Sequence, residues 1–187
     1  MQLTRLTTCF VEEEDRFLVS ADSDAGVINL WLTQRLLKRL LPHLIAWVGS
    51  VNPERLAEAG AATVAQDKEG EAVAEEGTGS DENSRHHLTS QLIAQHRKPI
   101  PRVAADKAVQ SCLVKSLQLH TQQQTLRLVF ELPDKDEAVL LLQEEHARMW
   151  LGALYKHWQQ AQWSDIWPEW MKQAQRMRVA SSAPLMH

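Results

Sequence analysis

Hydrophobic and polar residues alternate along two separate parts of the chain, and each part predicts three strands followed by a helix. In the first part, alternation over residues 3–10, 16–21 and 27–32 predicts three strands joined by polar turns. Thr33 then caps a predicted helix. The apolar positions of that helix recur at helical spacing, at Leu36, Leu37, Leu40, Leu41, Leu44, Ile45 and Val48. This first unit occupies residues 1–49.

The second unit occupies residues 112–160 and repeats the pattern. Residues 113–120, 125–132 and 138–142 are predicted strands. The helix that follows carries its apolar stripe at Ala147, Trp150, Leu151, Leu154, Tyr155 and Trp158. A shift of 110 residues superposes the two units without a gap, with eight identities in 46 positions.

We therefore predict an α+β fold of two pseudo-symmetric β-β-β-α repeats, each a three-stranded antiparallel sheet with one packed helix. Three strands and one helix are too few residues for a good core of their own. The two units are expected to pack together with approximate twofold symmetry, as in a homodimer.

The residues between the units differ in composition. No aromatic residue lies between Val48 and Val129, and residues 50–86 are rich in Ala, Glu and Gly. Such a segment has too little apolar surface to offset the entropy of ordering, so it is predicted to be an acidic flexible linker. Residues 87–111 are predicted to form a short helix and a proline-containing connection.

The C-terminal part of the chain is rich in tryptophan. Residues 161–178 are predicted to form an amphipathic helix, and residues 179–187 a frayed tail. The apolar stripe either folds back over the sheet or docks a partner, because Trp, Met and Arg are enriched at protein interfaces. The candidate partner-binding residues are Trp163, Trp167, Trp170, Met171 and Arg176.

Charge and composition narrow the classes of partner. The 187 residues carry a net charge of −4, and no apolar run is long enough to span a membrane. Nine of the 24 acids and three of the 20 bases lie in residues 50–85, which leaves 15 acids and 17 bases elsewhere. The folded parts are thus close to neutral. Neither their charge nor the net charge of the whole chain favours binding to nucleic acid or anionic lipid.

The residues offer little recognisable chemistry. Cys9 and Cys112 are too few for a disulfide framework or a cysteine-type zinc site, and a cytoplasmic location is expected. His86, His87 and His96 lie at the linker edge without a rigid carboxylate nearby. No phosphate-binding glycine loop or nucleophile elbow occurs. We predict no metal, no cofactor and no catalytic residue, while an active site formed only in three dimensions stays open.

These observations predict a non-enzymatic cytoplasmic protein of the interaction, adaptor or assembly-accessory kind. It is expected to bind a protein partner through the C-terminal helix or through an exposed sheet edge, and a homo-oligomer is compatible with the sequence. The alternative is a nucleic-acid-binding protein that uses the sheets, with the acidic linker as an autoinhibitor. Its candidate contacts are Arg35, Lys38, Arg39, Lys115, Arg127 and Arg148.

Overall fold

The computed structural model describes residues 1–50, 79–97, 101–122 and 124–182, and it is a mixed α+β structure. The strands are β1 (Gln2–Val11), β2 (Arg16–Ser23), β3 (Gly26–Leu32), β4 (Gln110–Leu113), β5 (Ser116–Gln122), β6 (Thr125–Glu131) and β7 (Glu137–Gln143). The helices are α1 (Gln34–Ser50), α2 (Gly79–Gln95), α3 (Glu144–Gln160) and α4 (Glu169–Ser182). Within the described parts, the α+β class predicted from the sequence is confirmed.

The strands of each part pair as antiparallel neighbours, as the alternation predicts. β1 pairs with β2 and β2 with β3, while β5 pairs with β6 and β6 with β7. The predicted first strand of the second part is divided between β4 and β5. The chain turns there, because the Val114 amide bonds to the Trp31 carbonyl at 3.0 Å and the Lys115 amide to that of Glu131 at 2.9 Å.

The strands form one sheet, whereas the sequence predicts two three-stranded sheets. The order is β4-β3-β2-β1-β7-β6-β5, and the two parts are joined by a short parallel pairing of β1 with β7. A second parallel pairing adds β4 to β3. Only Val114 and Lys115 separate β4 from β5, so the sheet curls until its two ends come together. Joining the parts in this way pairs strand edges that would otherwise face solvent.

The core lies between the strands and the apolar faces of α1 and α3. Strand positions two apart are buried, as in Leu126, Leu128 and Phe130 of β6. The predicted stripe of α3 is buried at every position, and that of α1 at all but Leu36 and Ile45, which are partly buried. The periodicity therefore identifies these core faces correctly.

Two boundaries differ from the predicted ones. α2 begins at Gly79, so the last residues of the predicted linker are helical, and residues 51–78 lie outside the described residues.

α4 begins only at Glu169, although the predicted helix starts at residue 161. The Pro168 carbonyl accepts hydrogen bonds from the amides of Met171 and Lys172, so proline stands at the helix start, where its missing N–H costs nothing. The helix continues to Ser182 into the predicted tail.

Among the described residues, none of the helices has the length and apolar character needed to cross a lipid bilayer.

Candidate functional site

The tryptophan-rich segment packs against this chain's own core. Trp167 is 4% exposed and Met171 is fully buried. The Trp163 ring lies 5.1 Å from that of Phe17 and 4.9 Å from that of Trp158, and its Nε1 donates to Asp15 at 2.9 Å. These contacts account for most of the apolar stripe within the molecule.

Two other predicted partner-binding residues lie nearer the surface. Trp170 is half-buried, with its ring 5.7 Å from that of His87. Arg176 is exposed, and it forms an ion pair with Glu169 at 3.4 Å. The role of the segment in binding a partner stays a prediction, with Arg176 its most accessible member.

The basic residues predicted for nucleic acid lie in different surroundings. Arg35, Arg39 and Lys115 are exposed, and Lys38 and Arg127 are half-buried. Arg148 is only 2% exposed and is enclosed by helices. A guanidinium in that position is not at a surface that a nucleic acid can reach, so the six residues do not form a continuous stripe.

A cleft opens where β1 separates from β7. These strands pair only through Gln2 with Val139 and Leu3 with Leu140. The register of β1 against β2 shifts between Leu3 and Arg5, which marks a β-bulge at Thr4. A bulge bends its strand and increases the local twist. Beyond it no described strand pairs with the outer edge of β1, and the cleft beside that edge has a volume of about 700 Å³.

Helix α3 forms a second wall of the cleft. Its lining residues fall on one helical face, and they are His146, Met149, Trp150, Gly152, Ala153, Lys156 and His157. Trp150 links α3 to β1, because its Nε1 donates a hydrogen bond to the Thr8 hydroxyl at 3.0 Å. The Val103 amide donates to the Thr7 hydroxyl at 2.8 Å, which places the segment before β4 at the same edge.

The lining of the cleft is strongly basic. Of the described residues that line it, none is Asp or Glu, whereas five are Arg or Lys: Arg5, Arg97, Arg102, Lys156 and Arg178. Two of these pair with carboxylates outside the lining. Arg5 lies 2.6 Å from Asp22, and Arg97 lies 2.6 Å from Glu145. In a partly enclosed cleft such cations favour the binding of an anion.

The lining of the cleft also includes apolar residues. Leu141 points outward from β7 and is 52% exposed, although it is a large aliphatic side chain on a strand. Leu6 and Met149 are further apolar members of the lining. A site with apolar surface and convergent polar groups is the usual composition of a ligand-binding cleft.

A buried polar cluster lies behind the α3 wall and is centred on Arg148. Its Nε donates to Glu144 at 2.8 Å, and its Nη2 donates to the Val48 carbonyl at 3.3 Å and lies 3.4 Å from Nδ1 of His87. The guanidinium also lies over the Trp170 ring, 5.9 Å from its centre. Burial lowers the pKa of Arg148, and the hydrogen bond to Glu144 opposes this. Burial, and then the charge of Arg148, lower the pKa of His87.

Helix α2 packs on α3 through side-chain amides. Gln91 Nε2 donates to the Arg148 carbonyl at 2.9 Å, while Gln91 Oε1 and both amide atoms of Gln95 are buried without a partner among the described residues. Gly152 makes room for them, because a Cβ there would lie 3.1 Å from Gln95 Nε2 and 3.3 Å from Gln91 Nε2. Gln95 at the end of α2 and Arg97 two residues beyond it line the cleft, so this polar contact positions part of the wall.

Nothing in the linear sequence indicated this cleft. Its cations come from β1, from the residues that follow α2, from α3 and from α4, which are far apart along the chain. The sequence-based prediction that comes nearest to it is partner binding through an exposed sheet edge. In the described part of the chain, no three His, Cys, Asp or Glu side chains are grouped as metal ligands. The cleft offers cations, hydrogen-bond donors and apolar surface, which together suit binding.

No protein-family model, curated protein sequence or solved structure matches this chain.

Proposed function

We propose that this chain is a non-enzymatic interaction protein, of the adaptor or assembly-accessory kind, that binds a protein partner at the cleft between β1 and α3. The observation that carries the proposal is the outer edge of β1 over residues 4–8, which no described strand covers. Open strand edges pair readily with another chain, and the cleft gives access to this one.

The cleft is a better candidate for the partner site than the tryptophan stripe of α4. Trp167 and Met171 are already buried against the core, so they offer a partner no surface without local unfolding. The outward face of α4 carries Arg176 and the exposed Met177 and Val179. Binding of a partner through α4 therefore remains a proposal, and it concerns this outward face alone.

The test is co-purification from the native host with the full chain and substituted variants. Ala153→Trp fills the cleft from α3, and Val109→Trp is the matched control, since Val109 is exposed and does not line the cleft. We expect Ala153→Trp to lose a protein that wild type and Val109→Trp retain, with circular dichroism spectra unchanged. Retention by Ala153→Trp, together with loss by Met177→Asp, would instead support α4. Absence of any specific partner from all samples would overturn the proposal.

We also propose that the two β-β-β-α segments are pseudo-symmetric repeats. In support, α1 and α3 coincide after the shift of 110 residues, and both are 17 residues long. The β1–β7 and β3–β4 parallel pairings provide two comparable joints between the segments. The test is superposition in an experimental structure. A rotation of about 180° that overlays both segments supports the repeat, and an overlay of the helices without the strands contradicts it.

A cytoplasmic location is likewise proposed, since Cys9 and Cys112 are both free thiols. The nucleic-acid alternative is not preferred, because Arg148 of the predicted set is buried and Trp150, which lines the cleft, is held against Thr8.

A further inference from the structure

We propose that the occupant of the cleft is an acidic protein segment in extended conformation, lying along the outer edge of β1. This inference rests on the proposed function of the cleft as a partner site, and it specifies the chemistry and conformation of what binds. Three features of the cleft carry it: the strand edge that no described strand pairs with, the distribution of charge, and the apolar residues of the lining.

The strand edge determines the conformation. Thr4, Arg5, Leu6, Thr7 and Thr8 are consecutive, and all five line the cleft. Successive side chains of a strand point to opposite faces, so five consecutive residues line one cleft only when the strand edge itself faces it. That edge presents main-chain N–H and C=O groups, and an extended peptide satisfies such groups by adding as a further strand.

The charge determines the composition of the segment. Arg102 and Lys156 form no ion pair within the described residues, although both line the cleft. Arg97, two residues beyond α2, and Arg5 on β1 also line the cleft, but each is already paired with a carboxylate outside the lining. The described lining itself contains cations and no Asp or Glu, so its own charged groups attract the carboxylates of a bound segment.

The apolar residues of the lining favour a peptide over a nucleic acid. Leu6, Leu141 and Met149 line the cleft together with the cations, so both acidic and aliphatic side chains of a peptide find matching groups there. Sites for single-stranded nucleic acid commonly offer aromatic faces on which the bases stack. The tryptophan in the lining, Trp150, is buried and donates its Nε1 to Thr8, so its ring is not an open platform.

The test uses the full chain and fluorescence anisotropy with three labelled probes. They are a peptide of alternating Glu and Leu, a peptide of alternating Lys and Leu, and an oligothymidylate of the same charge as the acidic peptide. We expect the acidic peptide to bind, and to bind more weakly as salt is added, while the basic peptide does not bind. Tighter binding of the oligothymidylate would overturn the inference in favour of nucleic acid.

Two charge reversals locate the site. Lys156→Glu lies in the cleft, and Lys107→Glu is the control, since Lys107 is exposed and outside the lining. We expect Lys156→Glu to weaken the acidic peptide by about tenfold or more and Lys107→Glu to change it little. Amide NMR shifts on binding are expected at residues 4–8. Equal effects of the two reversals, or shifts confined to other strands, would overturn the inference.

The two proposals fail in different ways. If Ala153→Trp loses the native partner but the acidic peptide does not bind, the cleft is a partner site and its occupant is not an acidic segment. If the acidic peptide binds at residues 4–8 while Ala153→Trp keeps the native partner, the cleft binds acidic segments as inferred. The proposed function is then wrong, because the native partner binds elsewhere.

Discussion

The guanidinium of Arg148 donates a hydrogen bond to the carbonyl of Val48 across 3.3 Å, from α3 to the last turn of α1. Carbonyls at the end of a helix lack partners within it and carry partial negative charge, so a cation there is favourable. The same side chain also contacts His87 of α2 and Trp170 of α4. Arg148 is thus the point at which all four described helices meet.

Truncation of Arg148 is expected to destabilise the fold, whereas an apolar residue of similar length is tolerated better. Arg148→Ala loses the bond to Val48 and the packing on Trp170, and we expect a loss of about 2–3 kcal/mol in the free energy of unfolding. Arg148→Met also loses the bonds to Val48 and Glu144 but keeps most of the packing volume, so its loss is expected to be about 1 kcal/mol smaller than that of Arg148→Ala. Urea unfolding measures both, with Lys156→Ala as the exposed control on α3. Equal losses for Ala and Met would contradict this account.

Acid is expected to weaken the packing of α2. Burial and the adjacent Arg148 lower the pKa of His87 in the folded protein, and His86 adds to this while Glu144 opposes it. The unfolded state therefore binds the proton more tightly. Stability from neutral His87 is fully present above its unfolded pKa of about 6.5, and is lost as pH falls below that value.

The measurement is urea unfolding at about pH 7.5 and about pH 5.5. We expect His87→Gln to reduce the pH dependence of the wild type. His120→Gln is the control, because His120 is exposed on β5. An unchanged pH dependence in His87→Gln would show that other groups cause it.

Gly152 is expected to be required for the seating of α2. A Cβ at this position meets the amides of both Gln91 and Gln95, and Gln91 is fully buried and bonded to the Arg148 carbonyl. Gly152→Val is therefore expected to cost about 1–3 kcal/mol through overpacking. It should also raise hydrogen exchange of the α2 amides. Ala153→Val, one position along α3, is the control, and equal exchange in the two variants would contradict the prediction.

The tryptophan segment is expected to stabilise the fold directly. Trp163→Ala removes a half-buried ring from Phe17 and Trp158, with an expected loss of about 2–3 kcal/mol. Trp163→Phe keeps most of the ring contact and loses only the hydrogen bond to Asp15, so about 1 kcal/mol is expected. Thermal or urea unfolding measures the difference. A Trp163→Ala variant as stable as the wild type would show that these ring contacts do not stabilise the fold.

Most of the secondary structure follows from local patterns in the chain. Alternation gives the strands, and the spacing of apolar residues gives the buried faces of α1 and α3, since these signals report which side of a single element is covered. The predicted start of α4 is wrong because the helix begins only after Pro168, and the apolar spacing before it continues without helical backbone.

The joining of the strands and the cleft depend on residues far apart in sequence, where a local pattern carries no information. Leu3 meets Leu140, the bulge at Thr4 ends that pairing, and Arg5 and Lys156 then face one cleft. Arg148 reads as one base on an amphipathic helix, yet three other helices enclose it. A charge pattern along one helix cannot report burial by partners from elsewhere in the chain, so those contacts exist only once the helices have packed.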